Sequence, residues 1–498
     1  MNSAISQKAI TGTFWMVCAF GLSKGAALVS NIVLARLLFP DDFGIFALAG
    51  TVIGIVGAFT DWGTGAAVVY KQQHDHEYTN SAFWIGMLAG VLQSVLIIAG
   101  AQLASELYGA AELRDILMVF GVVPTITSFG YIHQMLLAKE LRFKAKAVVE
   151  LLPGVSSAIV SIILAILGFN VWSLVLGTVV GMTFSNLMAW WLMPWRPSLH
   201  FNIAKARAVI SYGKAMLGMT ILMFFTDNID YMIIGRILGA ASLGLYSQSF
   251  RLATYPETTI SWPVEKVAFP TFAKLRENKE ALHSSFLKTI EYMALVSFPL
   301  LTLLLILSRQ LILTLYGSKW EGAILPLQIL CIAGMSRSVT AVSKQMLMAV
   351  GRPDINLKCN LVVLPGAVIG VIVGTQFGIV GVAVGMAAFL SIGSWALLLL
   401  TGRQIDLPAS RMISALQPGL ATSLVAVVGL LLFQTFVSET SSAVGLLNLA
   451  YSILIGCSLC LLSLALFNRR ILGEVMAVAG SYRSRRSRGD GVWTGLPG

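Results

Sequence analysis

Apolar residues run along this chain in blocks of about twenty, separated by short polar stretches, almost from the N-terminus to residue 467. A block of that length crosses about 30 Å of hydrocarbon as a helix. Fourteen blocks can be placed, over 11–38, 43–60, 81–107, 113–138, 147–168, 170–193, 209–238, 241–264, 284–307, 322–350, 357–376, 378–402, 413–437 and 443–467. The eighth is the least regular. It holds Arg251 and Glu257, with Glu265 and Lys266 just beyond it, and it is broken by Pro256 and Pro263. Such backbone persists at membrane depth only where protein or a wet cavity satisfies it. The pattern predicts an all-α polytopic membrane protein of about 14 transmembrane helices.

The blocks fall into a repeat. ARLLFPDDFGIF from Ala35 returns as GRILGAASLGLY from Gly235, matching Arg36 to Arg236 and Gly44 to Gly244. HQMLLA at His133 returns as KQMLMA at Lys344, and LPGV at Leu152 as LPGA at Leu364. The offset stays between 200 and 212. This implies two homologous six-helix lobes around a central cleft, residues 1–193 (helices one to six) and 209–402 (helices seven to twelve). Because each lobe has an even number of spans, the repeats share one topology and are related by an axis along the membrane normal. Residues 194–208 are a cytoplasmic linker that lets the lobes rock, 403–467 hold two further helices, and 468–498 form a basic cytoplasmic tail.

Charge sets the orientation. With the N-terminus in the cytoplasm, one set of loops collects Lys8, Lys71, Lys139, Arg142, Lys144, Lys146, Arg196, Lys205, Lys274, Arg276, Arg352, Arg403 and more. The other set holds little beyond Arg114, Arg309 and Lys319. The positive-inside rule then puts both termini in the cytoplasm. The net charge of +11 faces anionic headgroups and requires no nucleic acid. Composition agrees, with 57% hydrophobic and 11% charged residues against about 25% charged in soluble domains. The five cysteines lie in or beside apolar runs with no ligand-spaced partners, so no metal or other cofactor is implied.

Ionisable groups at membrane depth are costly and usually face a cavity or a partner. Lys24 lies near the middle of the first block; it either lines a cationic cavity or pairs with an acid such as Asp227 or Asp230. Asp227 and Asp230 are three apart, hence on one helix face, and serve as an ion site or as counter-ions. Arg251 offers a planar fork suited to phosphate oxygens, or a bridge to those acids. Arg337 and Lys344 share a face of the tenth block, and His133 holds the Lys344 position in the first repeat, which suggests a shared basic surface toward the cleft. Glu257 is a further candidate ion carrier.

Several segments together resemble the Wzx-type polysaccharide flippases, within the superfamily that also holds multidrug extruders and the lipid II flippase. They are ARLLFPDDFGIFALA at Ala35, MLLAKELRFKAKA at Met135, VAFPTFAKL at Val267, YGSKWEGAILPLQIL at Tyr316 and GRPDINLK at Gly351. The LRFK and YGSKWEGA elements are most similar to the exopolysaccharide branch that serves colanic acid, succinoglycan or xanthan-type polymers. The resemblance implies transfer of undecaprenyl-diphosphate-linked oligosaccharide from the cytoplasmic to the periplasmic leaflet of a bacterial inner membrane. It implies no covalent chemistry, and partners that include membrane lipids, a polysaccharide polymerase and a chain-length regulator. A cationic cleft of Lys24, Arg251, Arg337, Lys344 and His133 would take the diphosphate, with Asp227, Asp230 and Glu257 coupling ions or balancing charge. An ion-coupled multidrug exporter of the same superfamily is the alternative.

Overall fold

A helix lies over each apolar block because lipid leaves the backbone no other partner than itself. The computed structural model describes residues 3–60, 68, 75–199, 201–436 and 442–467; the tail from residue 468 lies outside them. In order the helices are α1 Ser3–Leu37, α2 Pro40–Thr60, α3 His76–Tyr108, α4 Ala111–Phe120, α5 Val123–Lys139, α6 Phe143–Ile166, α7 Val171–Leu192 and α8 Ile203–Ile237. They continue as α9 Gly239–Leu275, α10 Lys279–Leu311, α11 Ile324–Ala349, α12 Pro353–Gly374, α13 Gly378–Gln404, α14 Ala409–Ser414, α15 Gln417–Phe436 and α16 Ser442–Phe467. No strand occurs among the described residues.

Three details differ from the sequence expectation. The fourth block is two helices, α4 and α5, parted just ahead of Pro124, whose ring has no N–H and crowds the preceding turn. The eighth block is one continuous helix, α9, despite Pro256 and Pro263. Finally, eleven stretches among the described residues are long and apolar enough to cross a membrane, and one of these, Pro353–Gln404, contains both α12 and α13. Helices α8 and α9 carry charges within their apolar runs, Asp227 and Asp230 in the first and Arg251 and Glu257 in the second.

The repeat is visible in the helices themselves. α1 and α8 are both 35 residues long and end on Arg36 and Arg236 in the last turn. α6 and α12 both carry an internal proline, Pro153 and Pro365. Gly44 backs onto the Ala240 carbonyl and Gly244 onto the Pro40 carbonyl, so a side chain at either glycine would collide with backbone.

The chain divides into two units, Met1–Gly244 and Leu245–Gly498. In the first, α1, α6 and α7 pack as one group, α5 joins them through α7, and α2 packs on α3 and α8. Gly154 and Gly181 allow these approaches, meeting Ser23 and Ser157 respectively. Pro153 leaves the Val149 carbonyl without its helical N–H, and Ser185 Oγ of α7 donates to that oxygen at 2.9 Å. An aromatic and aliphatic core that includes Phe83, Ile132, Leu137 and Val209 joins α3, α5 and α8 at one end. In the second unit α10, α11, α13 and α15 surround a core of Phe286, Ile290, Met293, Val342 and Leu398.

The segment between α7 and α8 is tied down. Trp84 Nε1 donates to the Ser198 carbonyl at 2.8 Å, Asn202 Nδ2 donates to Glu77 at 2.9 Å, and Lys205 Nζ meets Asp75 at 2.6 Å. Asn202 also caps α8 by accepting from the Ala204 and Lys205 amides. The segment is thus bound to the start of α3 within the first unit.

Candidate functional site

The eight charged candidates divide between the units. In the second, α9 and α11 bring Arg337 and Glu257 together, with Nε 3.0 Å from the carboxylate. Both side chains are largely buried, and the guanidinium also lies 5.7 Å from the Phe250 ring centre. A charge pair this far from water needs good geometry to offset its desolvation, and here it has a short bond and an aromatic face. Lys344 lies two turns further along α11, half-buried, and acts electrostatically on Glu265 of α9. Arg251 is exposed on α9, with Tyr255 and Tyr316 within reach of its charge.

In the first unit, Lys24 is half-buried on α1, its Nζ 5.5 Å from the Phe20 ring centre one turn back. Asp227 and Asp230 are separated by burial although they share a helix: Asp227 is exposed, whereas Asp230 is 0% exposed and accepts from the Tyr231 amide at 2.9 Å. His133 is enclosed. Its ring stacks on Trp190 at 4.2 Å, Trp195 and Phe83 stand edge-on, and Nε2 lies 3.2 Å from the Trp195 carbonyl. A carbonyl only accepts, so Nε2 carries the proton, and the buried Nδ1 has no partner in the structure. Lys344, the matching position of the second repeat, is more exposed.

The first unit also contains a cavity of about 390 Å³ that none of these residues lines. Its walls come from α2 (Gly54, Gly57), α3 (Gly90, Gln93), α5 (Thr127, Tyr131) and α8 (Thr220, Phe224). Glycines let the walls approach closely: a Cβ on Gly57 would press on Gln93, and one on Gly90 would meet Ser128 and the Pro124 carbonyl. A search for charge passes over this site. The signal that marks it is Gly54, Gly57 and Ala58 on α2 beside Gly86, Ala89 and Gly90 on α3, each set at the i, i+3, i+4 spacing of one helix face.

Residues 33–325 match the family model described as "Polysaccharide biosynthesis protein". The chain belongs to this family. It is 25% identical over 392 residues to the lipopolysaccharide biosynthesis protein WzxC of Escherichia coli K12, covering 77% of this chain and 78% of that protein. It is 26% identical over 326 residues to the succinoglycan biosynthesis transport protein ExoT of Rhizobium meliloti, covering 65% of this chain and 66% of that one. Among solved structures, the lipid II flippase MurJ in an inward closed conformation superposes with a TM-score of 0.75 at 15% identity, covering 92% of this chain and 99% of MurJ. The fold is therefore MurJ-like, and this member of the family is a multi-pass membrane protein.

Proposed function

We propose that the protein moves undecaprenyl-diphosphate-linked oligosaccharide repeat units from the cytoplasmic to the periplasmic leaflet of a bacterial inner membrane, for exopolysaccharide or lipopolysaccharide synthesis. The observation that carries this reading is the family match over residues 33–325, with WzxC and ExoT as relatives. The physical problem fits the fold. A diphosphate and its sugars cannot enter hydrocarbon without losing hydration worth many kcal/mol. A helical protein supplies a polar path past that barrier while the lipid tail stays in the bilayer.

The charged residues support the reading in sign. Lys24, Arg251 and Lys344 are cations on helices that are otherwise mostly apolar. A buried cation costs about 2.5–3.5 kcal/mol on insertion scales, and pairing with a diphosphate is a use that offsets it. Arg337 already shares Glu257, so its role is to hold α9 and α11 in register. Exposed Asp227 would exchange ions with water more readily than buried Asp230.

The mechanism is alternating access by two lobes, with no bond made or broken and hence no enzyme chemistry. Removal of the delivered unit by a polymerase, with its chain-length regulator, or an ion gradient drives net transfer. The termini are cytoplasmic. Lys139, Glu140, Asp75 and Trp195 meet at one end of the first unit, where Lys205 also pairs with Asp75. The test is to delete the gene and analyse lipid-linked intermediates. The expected outcome is loss of surface polysaccharide, with the undecaprenyl-diphosphate oligosaccharide trapped on the cytoplasmic leaflet. Normal polymer with new sensitivity to cationic drugs would overturn the proposal in favour of a multidrug exporter.

A further inference from the structure

We infer that the cavity walled by α2, α3, α5 and α8 is a binding site for an uncharged sugar ring. Its place in transport, as a loading subsite for one glycosyl residue of the oligosaccharide, rests on the flippase reading above.

Size, charge and hydrogen-bond polarity converge on this ligand. At about 390 Å³ the space lies at the lower end of ligand sites, which run to roughly 300–1,000 Å³. No carboxylate, lysine, arginine or histidine lines it. Two of its hydroxyls spend their protons on backbone: Thr127 Oγ1 donates to the Pro124 carbonyl at 3.0 Å and Ser128 Oγ to the Thr125 carbonyl at 2.9 Å. Gln93 Nε2 donates to the Ile53 carbonyl at 3.3 Å, which leaves its amide oxygen as an acceptor. Thr127 Oγ1, Ser128 Oγ and the Gln93 amide oxygen present lone pairs, and the Gln93 amide has a second N–H to donate. Lone pairs repel phosphate and carboxylate oxygens and attract O–H donors, the groups a sugar ring carries in number.

An isoprenoid or acyl chain fits less well. It would cover the acceptor oxygens of Thr127, Ser128 and Gln93 without hydrogen-bonding them, at about 1–3 kcal/mol each. Tyr131 and Phe224 add aromatic faces, whose negative π surface suits the C–H face of a pyranose. Depth agrees with loading from the lysine-rich end. Gly57 is close to the end of α2 at Thr60, and Gly86 is ten residues into α3, or about 15 Å at the helical rise.

The test uses the full-length Ala89→Cys protein in phosphatidylethanolamine–phosphatidylglycerol nanodiscs. Alkylation by N-ethylmaleimide is monitored by mass spectrometry on the peptide that carries residue 89, so the native cysteines do not interfere. The probes are octyl β-glucoside below its micellar concentration, octyl phosphate and farnesol. We expect octyl glucoside to slow alkylation several-fold and the other two to leave it unchanged. Adding Gln93→Leu with Thr127→Val should abolish the protection and leave the rate without probe as it was. Equal protection by farnesol would make this a chain-binding cavity and overturn the proposal, as would protection by octyl phosphate or none by octyl glucoside. Full protection in the Gln93→Leu, Thr127→Val background would overturn it too, since the acceptors would then play no part. The readout involves no transport, so it stands or falls apart from the deletion strain.

Discussion

Glu257 and Arg337 form the best-defined charged contact among the candidates, and its energetics can be measured directly. Glu257→Gln leaves a largely buried guanidinium without its counter-ion, and Arg337→Gln leaves a carboxylate in the same position. Either change alone should lower the melting temperature, and the double variant should lose less than the sum. The expected coupling is about 1 kcal/mol; additive losses would mean the 3.0 Å contact carries no energy. Lys24→Ala and Arg251→Ala should reduce polymer output in a complemented deletion strain at matched expression. Wild-type output from both would sink the cationic-path proposal. The sequence picked out these residues because a charge in an apolar run is conspicuous. It could not tell Asp227 from Asp230, because helical spacing gives a shared face but not the neighbours that leave one exposed and cover the other. His133 illustrates the same limit: its alignment with Lys344 is plain in the sequence, and its enclosure by Trp190 and Trp195 comes from chain distant from it.

At the scale of the element, the internal prolines are decisive. Pro153 sits inside α6, and the carbonyl it orphans is taken by Ser185 from α7. Ser185→Ala should therefore destabilise the protein by about 1–3 kcal/mol, the cost of an unpaired buried acceptor. In a Pro153→Ala background, where the backbone N–H returns, the same change should cost markedly less. Tryptophan-fluorescence melting of the four proteins reads both numbers, and an equal loss in the two backgrounds would refute the account. Among the described residues, most helix positions were legible in the sequence, since apolar length largely dictates them. Their interruptions were not: Pro124 coincides with a break between α4 and α5, while Pro256 and Pro263 leave α9 continuous.

For the whole molecule, the two cytoplasmic termini are the sharpest expectation. Reporter fusions at residue 1 and residue 498 should both be active only in their cytoplasmic form. A periplasmic signal from either would reverse the orientation. The α13–α14 turn offers a pH test. The Lys279 ammonium, 2.8 Å away, holds the Asp406 carboxyl below its ordinary range. Because the folded value is depressed, this contribution is present above the ordinary carboxylate value near 4 and fades as pH falls through the lowered one. Wild type should then melt slightly above Asp406→Asn by a constant margin between pH 5 and 8, and the margin should close on the acid limb of the melting-temperature profile. The pair is solvent-exposed, so the effect is small.

Local composition and self-similarity, both present in the order of residues alone, were enough to establish the class of molecule and its plan. Apolar length gives a helical membrane protein, and the offset of 200 between Arg36 and Arg236 gives two related halves whose helices α1 and α8 match in length. Which groups meet was settled by packing. A cavity lies where α2, α3, α5 and α8 converge, and the segment before α8 is bound because Trp84 and Glu77, more than a hundred residues earlier, reach it. Helix formation is a property of the run of residues, whereas a cavity, a buried charge pair or a clamped linker depends on surfaces brought together from distant parts of the chain.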